Sequence, residues 1–110
     1  MRVKTGRDFI DARRRGQRHV AGCLIANWLP LGPGSMPRLG VVTSRKIGSA
    51  TIRSRARRLL RETFRLHQHD LRQPVTMVLV ARGSIVGKHL ASVERDFLSV
   101  LRQAGLLRKQ

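Results

Sequence analysis

The segment that most constrains this chain is an arginine-rich stretch at residues 52–66, which reads IRSRARRLLRETFRL. At about 100° per residue, its apolar and basic side chains separate onto two arcs of one helix. The apolar arc is suited to packing against a sheet and consists of Ile52, Ala56, Leu59, Leu60, Thr63 and Leu66. The basic arc is centred on Arg57, Arg58, Arg61 and Arg65, with Arg53 and Arg55 at its edges. We therefore expect a helix that is buried on one side and presents guanidinium groups on the other.

The charge of this predicted helix is one-sided, because six arginines are accompanied by a single acid, Glu62. Like charges one turn apart repel one another by roughly 0.3 kcal/mol per pair, and an external polyanion would relieve that repulsion. Arginine also favours bidentate contacts with phosphate. The whole chain shares the bias, since 23 Lys plus Arg against 6 Asp plus Glu give a net charge of +17. This balance indicates a nucleic-acid partner and argues against a neutral metabolic enzyme.

Three other interpretations of the arginine-rich helix stay open. It could be a solvated charged face, although such faces usually mix both signs of charge. It could lie on an anionic membrane, although its apolar arc lacks Trp and includes Ala56 and Thr63. It could be a recognition helix for duplex DNA, although no second helix precedes it at helix-turn-helix spacing. RNA is the partner that the pattern favours.

Length and composition set the class of the chain. Its 110 residues suffice for one core, so we expect residues 1–110 to form a single domain, with the order of its ends left open. One cysteine, Cys23, excludes an intramolecular disulfide and indicates a reducing compartment. The longest apolar stretch, residues 21–31, is too short to span a membrane, and the charged N-terminus is unlike a signal peptide. We therefore expect a soluble, cytoplasmic protein with no membrane partner.

The remaining pattern predicts an α+β fold. Helices are predicted over residues 7–15, over 51 to about 69, and over 89–104, where Gly105 ends the last one. The last helix has an apolar stripe at helical spacing, formed by Leu90, Val93, Phe97, Val100, Leu101 and Ala104. A buried strand is predicted over 19–29, and further strands over 39–45 and 75–82, with room for a fourth short strand. The two strands that flank the arginine-rich helix indicate a βαβ crossover. The predicted domain is a small sheet with three helices, either a sheet covered on one face or an α/β sandwich.

Catalytic and metal-binding patterns are not found in the sequence. The six acids form no Asp-x-Asp or Glu-x-x-His arrangement, and the four histidines and one cysteine do not have zinc-ligand spacing. We therefore predict no catalytic side chains, no metal site and no cofactor held by the protein alone.

Two adjoining segments resemble the protein component of bacterial ribonuclease P. Residues 53–65, RSRARRLLRETFR, are similar to the signature helix of that family, which usually has Asn where Ser54 stands. Residues 39–50, LGVVTSRKIGSA, resemble the strand and loop that precede this helix. The opening helix from Asp8 and Phe9 to Gly16, the strand at 78–82 and the tail at 104–107 also match. The resemblance thus covers nearly the whole chain.

The resemblance implies a sandwich whose βαβ crossover is left-handed, against the usual right-handed preference. It also implies a protein subunit of ribonuclease P that binds the catalytic RNA and the single-stranded 5′ leader of precursor tRNA. The subunit would assist endonucleolytic removal of the leader, which gives the mature 5′ end of the tRNA. The chemistry is then expected in the RNA, with magnesium held through that RNA, and with one protein bound to one RNA.

Matching positions carry the family's binding roles over to this sequence. RNA contacts are implied for Arg45, Lys46, Arg53, Arg55, Arg57, Arg58, Arg61 and Arg65. A cleft for the leader is implied at Phe9, Arg13 and Asn27, where aromatic faces suit unpaired bases. Arg13 and Asn27 stand where the family has aromatic residues, so leader binding is expected to rely more on charge here. Trp28, one residue further along, would face the other side of a regular strand.

Two other functions are compatible with the same sequence. A structural RNA-binding protein, such as a small ribosomal protein, would share the charge and the fold class but leave tRNA processing unchanged. An autonomous ribonuclease would cleave RNA without an RNA partner and would depend on an acid or a histidine.

Overall fold

A computed structural model describes residues 6–108 of the chain, and the side chains of residues 10–108. The elements follow in the order α1 (Gly6–Arg15), β1 (Gln17–Ala21), β2 (Leu24–Pro30), β3 (Arg38–Val42), α2 (Ala50–His67), β4 (Val75–Ala81) and α3 (Leu90–Ala104). Short 3-10 turns lie at Arg45–Ile47, Gln68–Asp70 and Gly83–Ile85. The three predicted helices and the strands predicted near residues 39 and 75 are confirmed, with ends shifted by up to three residues.

The prediction of one buried strand over residues 19–29 is wrong. This stretch turns back at Gly22 and Cys23 and forms the antiparallel hairpin of β1 and β2. Gly22 has a φ of +52°, a conformation that strains residues with a side chain. A Cβ at this position would also collide with the carboxylate of Asp96 from α3. The run of apolar residues predicts a single strand, and Gly22 was the residue in it that indicated a tight turn.

The four strands form one sheet in the order β1-β2-β4-β3. Strand β2 is antiparallel to both β1 and β4, and β3 is parallel to β4. Because α2 connects the parallel strands β3 and β4, the predicted βαβ crossover is confirmed. Its left-handedness stays a prediction.

Alternating strand residues divide the sheet into two faces. One face packs beneath α2 and α3 and forms the main core, to which β2 contributes Leu24, Ala26 and Trp28. Of the apolar stripe predicted on α3, Val93, Phe97, Val100 and Leu101 are 0% exposed, and the two end residues are half-buried. Trp28 is 5% exposed in this core and lies, as expected, on the face opposite to that of its neighbour Asn27.

The other face of the sheet is covered in part by α1, which packs against β2 and β4. Ala12 of α1 is 0% exposed, and beneath the helix Asn27, Thr76 and Val78 are each at most 5% exposed. Helices therefore lie on both faces. Of the two predicted arrangements, the sandwich is the one observed.

The buried side of α2 differs from the predicted apolar arc. Three residues of that arc are buried as predicted, Ala56, Leu60 and Thr63. Phe64, which was not assigned to the arc, is 3% exposed and its ring centroid lies 6.3 Å from that of Phe97 on α3. Ile52 and Leu66, which were predicted to be buried, are 37% and 43% exposed. Packing of Phe64 against Phe97 rotates α2 toward α3, and the sequence of α2 alone does not contain that contact.

Candidate nucleic-acid interface

Contacts at both ends hold α2 in place. At its start, Ser49 caps the helix, and its Oγ accepts a hydrogen bond from the amide of Ile52 at 3.4 Å. At its end, His67 lies between two carboxylates, with Nδ1 2.8 Å from Asp70 and Nε2 2.9 Å from Glu94 on α3. Burial lowers the pKa of His67, but the hydrogen bonds to Asp70 and Glu94 outweigh it, so the pKa is raised overall. These contacts fix which side of α2 faces outward.

Four of the arginines predicted to contact RNA are exposed along α2: Arg55, Arg58, Arg61 and Arg65. We call these four residues the arginine face. Arg58, Arg61 and Arg65 share one side of the helix because they are spaced by three and four residues. Arg65 also pairs with Glu62, with 3.1 Å between Nε and Oε2. This hydrogen bond lowers the pKa of Glu62 and raises that of Arg65.

The other two arginines of α2 lie at the border of its buried side. Arg57 is half-buried, and its Nη1 donates a hydrogen bond to Oγ1 of Thr43 at 2.8 Å. Arg53 is half-buried as well, and its buried Nε has no hydrogen-bond partner within residues 6–108. The basic arc was predicted to be centred on Arg57, Arg58, Arg61 and Arg65, and the half-burial of Arg57 moves its centre toward Arg58 and Arg65. The rotation that exposes Ile52 and Leu66 also produces this shift.

The loop between β3 and α2 carries the other two residues predicted to contact RNA. Arg45 and Lys46 are exposed in the 3-10 turn that precedes α2. Ile47, at 9% exposed, anchors this turn in the core. The following Gly48 lies close to α2, since a Cβ there would be 3.0 Å from Cδ1 of Ile52. Arg45 and Lys46 therefore adjoin the first turns of α2.

Two depressions open beside these first turns. One lies on the outer surface of α2 and is lined by Ala50, Thr51, Ser54, Arg55 and Arg58. The second lies between α2 and the turn that follows β4, and is lined by Ile52, Arg55, Ala56, Ile85, Val86 and Gly87. Arg55 forms a wall of both, and its Nη2 donates a hydrogen bond to the carbonyl of Lys88 at 2.7 Å. Sequence reasoning missed the second depression, because its apolar lining comes from two distant segments.

The residues predicted for the leader cleft lie on or beneath α1. Arg13 is exposed on that helix. Asn27 is 5% exposed and lies in the sheet between Arg18 of β1 and Val78 of β4. The side chain of Phe9 lies outside the described residues.

A row of apolar side chains extends from this region across the same face of the sheet. Ile25, Val80 and Val42 pair in register across β2, β4 and β3, and each is half-buried. The row is wide enough for flat ligands to lie against, because three strands contribute to it. Sequence reasoning did not single it out, although the alternation of residues along each strand would have placed these three together.

The described part of the chain has few side chains that could hold a metal ion or act as a nucleophile. Among the side chains of residues 10–108, no three His, Cys, Asp or Glu residues are grouped so as to hold a metal ion. Cys23 is buried, and burial and a hydrogen bond to Asp96 raise the pKa of its thiol to about 12. In the same range, no helix has the length and apolar character needed to cross a membrane.

Comparison with known sequences gives matches along nearly the whole chain. The family model described as ribonuclease P matches residues 1–105. The ribonuclease P protein component of Syntrophomonas wolfei is 31% identical over 105 residues, which cover 96% of this chain and 87% of that protein. The ribonuclease P protein component of Desulfovibrio desulfuricans is 34% identical over 101 residues, covering 91% of this chain and 74% of that protein.

Solved structures with the same fold include two ribonuclease P proteins. The Staphylococcus aureus protein matches with a TM-score of 0.83 at 21% identity, over 97% of both chains. The Thermotoga maritima protein matches with a TM-score of 0.80 at 23% identity, over 94% of this chain and 96% of that one. At such identities these structures show only that the fold is shared. The sequence matches show the family. On the match over residues 1–105, the chain belongs to the ribonuclease P protein family.

Proposed function

We propose that this ribonuclease P subunit binds the catalytic RNA through the arginine face and the β3–α2 loop, and holds the 5′ leader of precursor tRNA between α1 and the sheet. The single observation that carries the proposal is the exposed arginine face on a chain of this family. Cleavage assisted in this way would give the mature 5′ end of the tRNA.

The arginine face has the properties that phosphate binding requires. A guanidinium can donate two parallel hydrogen bonds to one phosphate, and Arg55 and Arg65 keep further N–H donors beside their contacts with Lys88 and Glu62. Residues three and four apart on a helix are neighbours, so phosphates of one RNA strand can be neutralised together. Bound phosphates also remove the repulsion between Arg58, Arg61 and Arg65. Electrostatics therefore favours RNA association twice, through attraction between the partners and relief of repulsion within the protein.

The region between α1 and the sheet has the properties that a single-stranded leader requires. The row of Ile25, Val80 and Val42 offers an apolar surface to unpaired bases, and the exposed Arg13 and Arg18 offer charge to the backbone. Asn27 is largely covered, so Arg13 and the apolar row would make the first contacts. This arrangement accords with a leader cleft that uses charge more than aromatic stacking.

The proposed role leaves the chemistry to the RNA and to the magnesium held through it. Four of the six acids have structural contacts in the protein: Glu62 with Arg65, Asp70 and Glu94 with His67, and Asp96 with the amide of Cys23. These carboxylates are thereby committed to the fold rather than grouped at a cleft. The protein would neutralise phosphates and hold the leader, with one protein for each RNA.

A reconstitution assay with labelled precursor tRNA at low magnesium tests this proposal. Its three arms contain a bacterial ribonuclease P RNA alone, this protein alone, and the two together. We expect cleavage at the mature 5′ end in the combined arm only. Cleavage by the protein alone would identify an autonomous nuclease. If the combined arm stays inactive while the RNA alone cleaves at high magnesium, the chain is a structural RNA-binding protein instead.

A further inference from the structure

The second depression beside α2 has a lining that phosphate contacts do not explain. We call it the apolar groove, and it is lined by Ile52, Arg55, Ala56, Ile85, Val86 and Gly87. Two of its apolar side chains are open to solvent, Ile52 at 37% and Val86 at 46% exposed. Exposed aliphatic side chains this close to a strongly basic surface suggest contact with something other than a phosphate.

The groove is held by contacts from both of its sides. On the α2 side, Ile52 packs against the backbone of Gly48. On the other side, Ile85 is 1% exposed and anchors the turn after β4 in the core. Hydrogen bonds within that turn run from the amide of Val86 to the carbonyl of Gly83 at 3.2 Å, and from Lys88 to Ile85 at 3.0 Å. The exposed side chains therefore project from backbone that is already ordered.

Arg55 gives the groove a polar, planar wall. Its Nη2 donates to the carbonyl of Lys88 at 2.7 Å, which joins α2 to the far side of the groove and restrains the guanidinium. Unpaired nucleobases stack on guanidinium planes as well as on aromatic rings, and they bury their flat faces against apolar groups. A restrained arginine beside Ile52 and Val86 supplies both kinds of surface.

We propose that the apolar groove binds an unpaired nucleobase of the RNA that lies on the arginine face, an inference that rests on the proposed function. The two surfaces are continuous, because Arg55 lines both the groove and the depression next to Arg58. Arg55 and Arg58 are neighbours on α2 because they are three residues apart, so RNA held at Arg58 adjoins the groove. The six lining residues include one cation and no acid, so the charge of the groove also favours RNA.

The position of the groove in the fold provides a matched control. Because β3 and β4 are parallel, their carboxyl ends lie side by side. The segments that follow these two strands, which include Ile52 and Val86, therefore lie at the same end of the sheet. Met36 precedes β3 and so lies at the opposite end of the strands, where it is 60% exposed. A substitution at Met36 therefore removes a comparable exposed apolar side chain at the end of the strands opposite to the apolar groove.

The first test compares Val86→Ala with Met36→Ala, using a bacterial ribonuclease P RNA as the ligand. We expect Val86→Ala to weaken binding about threefold to tenfold, and Met36→Ala to leave it unchanged. The dependence of affinity on salt should stay that of the unaltered protein, because an apolar contact releases no counterions. Equal affinities for the two variants, or a changed salt dependence in Val86→Ala, would overturn the proposal.

The second test locates the contact directly and does not depend on the size of the affinity change. Val86→Cys and Met36→Cys are labelled with a thiol-reactive benzophenone, while Cys23 is buried and stays unlabelled. After irradiation of each complex, we expect the probe at position 86 to crosslink to an unpaired nucleotide and the probe at 36 to give none. Absence of a crosslink from position 86, a crosslink to a base-paired segment, or one to a second protein copy would refute a nucleobase site. If the unaltered protein does not bind the RNA at all, that result contradicts the proposed function itself.

Discussion

Arg57 donates a hydrogen bond from Nη1 to Oγ1 of Thr43 across 2.8 Å, and so ties α2 to the residue that follows β3. Arg57 is one of the residues predicted to contact RNA, and the bond restrains in advance a long side chain that would otherwise lose rotamer freedom in such a contact. The arginine in this bond is half-buried, whereas its neighbour Arg58 is exposed. Arg57 thus connects the β3–α2 loop, with Arg45 and Lys46, to the arginine face.

Replacing Thr43 tests whether this restraint contributes to RNA affinity. In Thr43→Val the acceptor is lost, and we expect binding of ribonuclease P RNA to weaken about threefold, since Arg57 must then be ordered on binding. The salt dependence should stay the same because no charge is removed. Thr43→Ser keeps the hydroxyl and should bind as the unaltered protein does. Filter binding measures all three proteins, and equal weakening by Val and Ser would show that the hydroxyl is not responsible.

Removing one exposed arginine tests the phosphate contacts of the arginine face. For Arg58→Ala we expect the slope of log affinity against log salt to fall in magnitude by about 0.7 to 0.9. Arg102→Ala, an exposed arginine on α3, loses the same charge away from α2 and should keep the slope. Fluorescence anisotropy over a salt series gives both slopes. If the two slopes are identical, Arg58 does not contact a phosphate.

Glu62 is expected to weaken RNA binding in the unaltered protein, because it pairs with Arg65 and adds negative charge beside the arginine face. Glu62→Gln should therefore tighten binding of ribonuclease P RNA, by about twofold to threefold at low salt, with a smaller gain at high salt. Asp11→Asn on α1 is the charge-matched control. Its binding is measured with the same ribonuclease P RNA and without precursor tRNA, so that the leader plays no part. A gain of equal size from Asp11→Asn would mean that only net charge matters.

His67 should make folding stability depend on pH. Burial lowers its pKa, but the hydrogen bonds to Asp70 and Glu94 raise it overall in the folded protein. Since protonated His67 is favoured by folding, its stabilisation is complete below the unfolded-state pKa of about 6.5 and is lost as pH rises through the higher folded-state pKa.

Urea unfolding of the unaltered protein and of His67→Gln, at several pH values from roughly 5.5 to 9, measures this effect. We expect the difference in unfolding free energy between the two to shrink as the pH rises. His69→Gln is the control, because His69 is exposed on the 3-10 turn that follows α2. A difference between unaltered protein and His67→Gln that stays constant across this range would contradict the proposed linkage.

Gly22 should be more sensitive to substitution than Gly34, although both glycines have a positive φ. Gly22→Ala combines backbone strain at φ +52° with a collision that displaces the Asp96 carboxylate from the amide of Cys23. Gly34→Ala has strain alone, because nothing lies within 4 Å of a Cβ at φ +82°. We expect Gly22→Ala to lose about 1 to 2 kcal/mol more unfolding free energy than Gly34→Ala, by urea denaturation. Equal losses would show that the contact with Asp96 contributes nothing.

Local patterns were sufficient for much of the fold. The 3.6-residue period of residues 89–104 correctly identified the buried stripe of α3, because one helix face must pack on the sheet whatever the details of the contact. The arginine-rich segment was correctly identified as a helix with a basic outer side. The hairpin of β1 and β2 was missed, since the apolar residues on both sides of Gly22 give the same signal as one longer strand.

The sequence by itself determined that this chain has a one-sided basic helix between two parallel strands, and the resemblance of residues 39–65 identified the family. The tertiary structure decided the rotation of α2. A helix with apolar residues spread over a wide arc can dock in several orientations, and contacts of Phe64 with Phe97 and of His67 with Glu94 select one of them. That orientation half-buries Arg57, exposes Ile52 and opens the apolar groove. The sequence of α2 alone could not predict this orientation, because the contacts that select it come from α3.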